Sequence, residues 1–410
     1  MNQNIIVSAQ ACGYGPVSKL VTILNHLHSN HLIFIGRGVA LEYIKRYSDI
    51  FDKIVLSDDN QTTISEIENC DFGIIVMNHE VAFLLFKKRR PFYFIDSLFS
   101  FWISLKSCSE MIEISKRMKK CHDEKILDDI FNSLSIHEQK ILCHLLANKS
   151  YIQNFPGVPE RVNDFKKNGI CNMIITSSIV NIKNISTNCN IIEGLSDQFI
   201  LINLGGVTNF LINENNYNYY TKLIEKFSCD YLKNTKGRDI VLCSGIYKKQ
   251  SILNIGNNKI FKLSLTSELF LRLMQQADIY LTSPGLTSIN EVVILNKLPI
   301  LLPEQHYSQY HNIYGLCNTQ IYSKLSLGLN QLFEKYEIPN HDYKGSMAIL
   351  RYIENVINDK RIYSAFYTKL SALINKLPLI SSKEQYSMIH ELRELLTGAD
   401  IEVEIRKIVQ

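Results

Sequence analysis

A chain of 410 residues is longer than one ordinary hydrophobic core serves, so two α/β domains are expected. Its 46% hydrophobic and 20% charged residues mark a globular protein, and a formal net charge of +4 gives no general field for nucleic acid or an anionic membrane. No window reaches the roughly 18 apolar residues of a spanning helix, so no transmembrane segment is expected. The ten cysteines are scattered without a C-x-x-C pair, which disfavours a zinc cluster or a disulfide framework and suits a reducing, cytoplasmic setting.

In chain order, short apolar runs at 4–8, 31–35, 53–56, 72–77, 91–95 and 173–176 read as buried parallel strands. Helical patterns at 17–27, 41–47 and 80–87 fall between them, and the basic run Lys87-Lys88-Arg89-Arg90 reads as a solvated loop before the fifth strand. A helical excursion over 108–150 interrupts the alternation. Beyond the polar segment 181–190 the pattern restarts, with strands at 199–204, 239–243, 259–263, 278–282 and 298–303. Such alternation predicts two doubly wound, Rossmann-like α/β domains facing a cleft, at 1–190 and 191–345, followed by a helical segment at 346–410.

The second domain carries the most informative stretch. Strand 278–282 ends in Ser283-Pro284-Gly285, and a helix then opens with Leu286, Thr287 and Ser288. Glycine allows close approach to the backbone, and a helix N-terminus offers unpaired N–H groups and partial positive charge, which together suit a diphosphate. Glu291 lies about one turn further in, placed to accept from ribose hydroxyls. The next strand ends at Glu304-Gln305-His306, where polar side chains reach a donor sugar. Gly205-Gly206 closes the first strand of this domain. A capped strand–turn–helix without a ligand is the plainer alternative.

In the first domain the opening strand runs into Gly13-Tyr14-Gly15, with Ser18 where a dinucleotide fingerprint needs its third glycine. No acidic residue closes the second strand, so a nicotinamide site is disfavoured, and the Gly-Lys-Ser/Thr ending of a phosphate loop is missing. A glycine loop at a helix N-terminus remains, with Lys19 one turn in. Asp96, closing an apolar strand, is the first candidate for catalytic base or acceptor orienter, against a cap in Asp96-Ser97. His79-Glu80 is the second candidate, against a surface loop or cap, and Tyr14 and Trp102 are aromatic groups able to stack on a base or fill the core.

The stretch 277–291 resembles the donor-binding region of the two-Rossmann-domain (GT-B) glycosyltransferases. That resemblance implies that Ser283, Gly285, Leu286 and Thr287 hold the donor phosphates, with Gly205 and Gly206 turned toward them. It also implies that Glu291 binds the ribose, that Glu304 and Gln305 contact the sugar, and that the Gly13-Tyr14-Gly15 loop with Lys19 touches acceptor and donor phosphate. Three first-half segments, 13–20, 94–98 with Trp102, and 153–158, look like the cytosylglucuronate synthase group. This implies a glucuronosyl unit passed from a UDP-type donor to cytosine or a related base. The expected protein is thus a glycosyltransferase whose partners are a nucleotide sugar and a small-molecule acceptor, with no nucleic acid, no cofactor and no metal, since no Asp-x-Asp occurs. Many inverting enzymes of this fold carry a histidine after the first strand, and here that loop has only Cys12 and Tyr14. A non-catalytic nucleotide-sugar-binding protein and a sugar-nucleotide epimerase are the alternatives.

Overall fold

A computed structural model of the chain describes residues 3–25, 27, 30–181, 192–205, 214–247 and 249–409, with no side chains described for 214–218 and 409. By contacts the chain forms two compact units, 1–179 with 395–410, and 180–394. The change of unit follows Ile179 rather than falling near residue 190. The helices after 346, expected as one segment, are divided between the units, because residues 395–410 return to the first sheet.

In the first unit seven strands form one sheet in the order β3-β2-β1-β4-β5-β6-β7. They are β1 (Asn4–Ala9), β2 (His31–Gly36), β3 (Lys53–Leu56), β4 (Phe72–Val76), β5 (Phe92–Asp96), β6 (Lys149–Gln153) and β7 (Met173–Thr176). Every neighbouring pair is parallel. Ile5, Ile6 and Val7 are wholly buried, as a strand covered on both faces requires. The order reverses between β1 and β4, the type of crevice where open α/β sheets bind ligands. The excursion after β5 is helical, and helix Ile136–Leu146 opens on a capping box in which Ser135 and Glu138 satisfy each other's backbone N–H groups. That start places Lys140 and His144, four residues apart, on one helix face.

The second unit holds a six-stranded sheet in the order β10-β11-β9-β8-β12-β13. Its strands are β8 (Phe199–Asn203), β9 (Asp239–Cys243), β10 (Ser251–Ile255), β11 (Asn258–Leu263), β12 (Ile279–Thr282) and β13 (Pro299–Leu301). Only the edge strand β10 is antiparallel, and it is largely exposed. Here the order reverses between β8 and β12. No helix among the described residues is long and apolar enough to cross a membrane.

Candidate active site

At the β8/β12 reversal the register pairs Asn203 with Thr282, so the residues after both strands emerge side by side. Gly205 has φ +72°, a left-handed conformation that favours glycine. A Cβ built on it would lie 3.5 Å from the Ser283 hydroxyl oxygen, so the expected glycine and serine are brought together. Gly206 lies outside the described residues. Asn203 organises the turn: its Oδ1 accepts from Gly205 N at 2.9 Å, and its amide donates to Ser288 Oγ at 2.9 Å and Tyr280 Oη at 3.2 Å. Ser244 Oγ donates to the Gly205 carbonyl at 3.2 Å from the β9 side.

Helix Leu286–Leu295 starts from Gly285, which has no side chain to cap it, and among the described residues no atom beyond its chain neighbours lies within 4 Å of a Cβ built there. The positive end of the helix dipole thus meets no side-chain cap from Gly285. Ser283 and Leu286 are buried, Thr287 is half-buried, and the Leu286 carbonyl accepts from Asn290 Nδ2 at 2.6 Å. Glu291 is buried, and its charge helps to push the Tyr280 hydroxyl above its ordinary range, after the larger effect of burial.

Glu304 and Gln305, which the resemblance implies contact the sugar, are both hydrogen-bonded within the second unit. The Glu304 carboxylate, 1% exposed, accepts from the Tyr336 hydroxyl and from Leu329 N at 3.3 Å. Burial raises its pKa above the usual carboxylate range. Gln305 Nε2 donates to the Leu204 carbonyl at 2.8 Å, tying the end of β13 to the residue before the glycine turn.

In the first unit Gly13 is left-handed (φ +62°), with no atom within 4 Å of a Cβ built there. Tyr14 precedes helix Gly15–Leu24 and leans on Tyr43, ring centroids 5.5 Å apart. Lys19 is buried, so this lysine is part of the wall under the loop. Asp96 is wholly buried: one oxygen accepts from Leu98 N at 2.6 Å, the other from the Trp102 indole and from His144 Nε2 at 2.8 Å. His144 Nδ1 lies 2.6 Å from Ser150 Oγ, and both of those residues are 0% exposed. The network assigns a neutral imidazole that donates from Nε2 to Asp96 and accepts the serine proton at Nδ1. A Ser–His–Asp relay without exposure attacks nothing, so this geometry makes Asp96 an anchor for residues 97–102 rather than a proton acceptor within reach of a substrate.

Lys140 bridges the residues that follow β1 and β4. Its ammonium donates to Gln10 Oε1 at 2.8 Å and to the Met77 carbonyl at 3.1 Å, and sits 4.4 Å over the Trp102 ring. Burial lowers its pKa to about 8. Met77 holds a left-handed φ of 60° at this point, unusual for a non-glycine residue. The pair His79-Glu80 begins helix His79–Lys87 behind the Asn78 cap, and Glu80 is paired with Arg37 at 2.9 Å. Lys140, His144, Asn203, Tyr280 and Ser288 were not among the expected site residues. Lys140 and His144 leave a trace, two polar residues at a spacing of four on an otherwise apolar helix face, whereas Asn203 shows its role only through cross-strand register.

Burial also holds three histidines below their ordinary pKa: His79 at about 3, His306 at about 4, and His144 lowered despite the opposing pull of Asp96. The unfolded chain protonates each below about pH 6.5 while the folded chain does not. Their stability is therefore complete above that pH and is lost as pH falls toward the folded values. Going from about pH 7 to about pH 5 is expected to cost on the order of 1–2 kcal/mol for each of His79 and His306. Urea unfolding at the two pH values measures this, with a shallower loss expected in His306→Asn, and a flat profile contradicts it.

No family model matches the chain, and no curated protein matches it. Among solved structures it is similar to a glycotransferase of kitacinnamycin, with TM-score 0.51 and 12% identity over 100% of this chain and 98% of that one. It is likewise similar to the spinosyn forosaminyltransferase, with TM-score 0.51 and 8% identity over 100% of both chains. Neither comparison picks out the cytosylglucuronate synthase group, so that finer resemblance rests on the three first-half segments alone. At these identities the likeness speaks to architecture: the chain has the two-Rossmann-unit α/β fold of the GT-B glycosyltransferases.

Proposed function

We propose that the protein is a glycosyltransferase that takes a sugar from a nucleoside-diphosphate donor bound on its second unit. The observation that carries this reading is the β8/β12 reversal, where the Gly205 turn, Ser283 and the uncapped start of helix Leu286–Leu295 converge beside open space at Gly285. Backbone N–H groups and a helix dipole are suited to a diphosphate and to the charge it gains on leaving. Glu291 takes the ribose, as the resemblance implies, and a UDP-type donor is inherited from the same source. The acceptor binds the first unit, and the three segments there favour cytosine or a related base receiving a glucuronosyl unit. Its nucleophile attacks the anomeric carbon as the bond to the diphosphate oxygen breaks and the diphosphate leaves with the electron pair. A ring-nitrogen acceptor needs less help from a base than a sugar hydroxyl does, which fits an Asp96 already occupied by three donors. In this reading no divalent metal takes part, and excess EDTA leaves turnover unchanged. A non-catalytic nucleotide-sugar binder is the second reading, favoured by the lack of a histidine after β1.

Melting curves with UDP, CDP, GDP, dTDP and NAD, repeated on Glu291→Ala, test the donor site. A ligand at 100 times its Kd stabilises by about 2.7 kcal/mol if it binds only the folded state. One pyrimidine diphosphate is expected to raise the melting temperature, with the shift lost in the variant. No shift with any of the five sinks the transferase reading.

A further inference from the structure

Helix Ile136–Leu146 places one ammonium among three loops. Lys140 Nζ donates to the Gln10 carboxamide oxygen and to the Met77 carbonyl, and lies 4.4 Å from the centroid of the Trp102 ring. Gln10 is the first residue after β1, Met77 the first after β4, and Trp102 stands in the loop that follows β5. Those strands are neighbours in the order β1-β4-β5, and β1 and β4 flank the reversal. One side chain therefore joins the loops leaving the carboxyl ends of three adjacent strands, where open α/β sheets bind ligands.

Two features set this lysine apart from ordinary core filling. It is 1% exposed, yet both of its hydrogen-bond acceptors are neutral, whereas a fully buried ammonium is ordinarily paired with an acid. Burial holds its pKa down at about 8, with the Asp96 carboxylate as the largest opposing pull. The second feature is Met77, whose left-handed φ of 60° is a strained conformation that persists only where its surroundings fix it. Its carbonyl is the one on the ammonium, and its sulfur accepts from Ser97 Oγ at 3.5 Å, so helix and β5 loop grip it together. The same helix holds the rest of that loop. His137 Nδ1 accepts from Ile103 N at 3.1 Å, Glu138 accepts from Leu105 N at 3.3 Å, and His144 meets Asp96.

We propose that Lys140 is a positioning residue, whose ammonium draws the loops after β1, β4 and β5 into one crevice wall and whose loss of a proton releases them. A charged donor makes stronger bonds to both oxygens and is attracted to the indole face, and the neutral amine loses both advantages. The groups that face it are Cys12 in the β1 loop, Asp96 at the end of β5, Glu80 and His79 on helix His79–Lys87, and Cys143 and His144 on its own helix. His137 faces Trp102. Burial keeps Cys143 a thiol and both His79 and His144 neutral, while hydrogen bonds from its donors keep Asp96 ionised against its own burial. Cys12 is the thiol that an experiment has to separate from Lys140. Global stability moves the other way: the unfolded chain keeps the lysine proton to higher pH, so losing it favours the folded chain between about pH 8 and the ordinary lysine range. Loops that loosen above that pH are thus no by-product of unfolding. That the crevice takes an acceptor rests on the transferase reading, whereas the clamp is testable alone.

Trp102 is the only tryptophan in the chain, so its emission reports on the clamp directly. Emission of the full chain is expected to step with a midpoint at about pH 8 in wild type and in Cys12→Ser, and to lose that step in Lys140→Met. Hydrogen exchange at about pH 7 reads position. In Lys140→Met, peptides covering 10–15, 77–79 and 97–105 are expected to exchange about tenfold faster, as one lost charge-assisted bond implies, with strand 239–243 unchanged. No step in wild type, a step that survives Lys140→Met, or a step that disappears in Cys12→Ser would each overturn the clamp. Unchanged exchange in the three loops would do the same, and so would faster exchange that extends to 239–243. Should Lys140→Met fail to fold, wild type and Cys12→Ser decide. Both are then expected to show the step, and wild-type exchange, corrected for base catalysis, is expected to quicken between about pH 7 and about pH 9 in the three loops alone. The absence of either result overturns the proposal. A clamp found in a chain that binds no nucleotide would sink the donor reading and keep this assignment.

Discussion

Asp96→Ala is expected to lower the melting temperature of the first unit by about 10 °C, since each buried donor left without its acceptor costs about 1–3 kcal/mol, and each kcal/mol moves a unit of this size by about 2–4 °C. The substitution strands three donors at once: the His144 imidazole, the Trp102 indole and Leu98 N. Asp96→Asn keeps an oxygen for part of that set and is expected to lose less. Unaltered UDP binding in both variants would confine the damage to the first unit. A catalytic base behaves in the opposite way, since Asp96→Asn would then melt like wild type and lose turnover. Calorimetric melting together with a UDP titration separates the two roles, and an unshifted Asp96→Ala contradicts the anchor.

Gly285→Val is expected to fold normally and lose nucleotide binding by about a hundredfold, equivalent to about 2.8 kcal/mol. Gly285 has φ −81° and ψ 138°, an extended conformation that valine adopts without strain, and among the described residues no atom beyond its chain neighbours lies within 4 Å of a Cβ built there. The added methyls occupy the space proposed above for the diphosphate at the helix start. Gly205→Ala is the contrasting case. Its φ of +72° costs a non-glycine residue about 1–2 kcal/mol, while the new methyl makes only ordinary contact with the Ser283 hydroxyl oxygen at 3.5 Å, so stability is expected to fall through the backbone. Full nucleotide affinity in Gly285→Val would move the donor site elsewhere.

The parallel core was legible because its strands are continuous apolar runs; Ile5-Ile6-Val7 and Val241-Leu242 are buried on both faces and read as such. Strand β6 was missed for the opposite reason. Its Lys-Ser-Tyr-Ile-Gln sequence carries no apolar run, because Ser150 is buried to meet His144 and Gln153 is buried with nothing to meet. Strand β10 was missed as an exposed edge whose pattern resembles a loop. The turn Ser283-Pro284-Gly285 could be read locally, since proline and glycine punctuate a strand end. The network that shapes it could not: Asn203 reaches Tyr280 and Ser288 across about 80 residues, and Asp96 meets His144 across 48. The same distance effect gave Glu304 and Asp96 partners unseen in the local sequence, Leu329 N and the His144 imidazole.

Acceptor-dependent release of UDP tests the central claim most directly. UDP-sugars, UDP-glucuronate among them, are incubated with the protein and with cytosine or uracil, with magnesium and with EDTA in parallel, and free UDP is followed by chromatography. The account predicts UDP release that requires both protein and acceptor, persists in EDTA and disappears in Gly285→Val. UDP bound tightly by a chain that releases none with any acceptor would contradict it, and would make the protein a nucleotide-sugar binder instead.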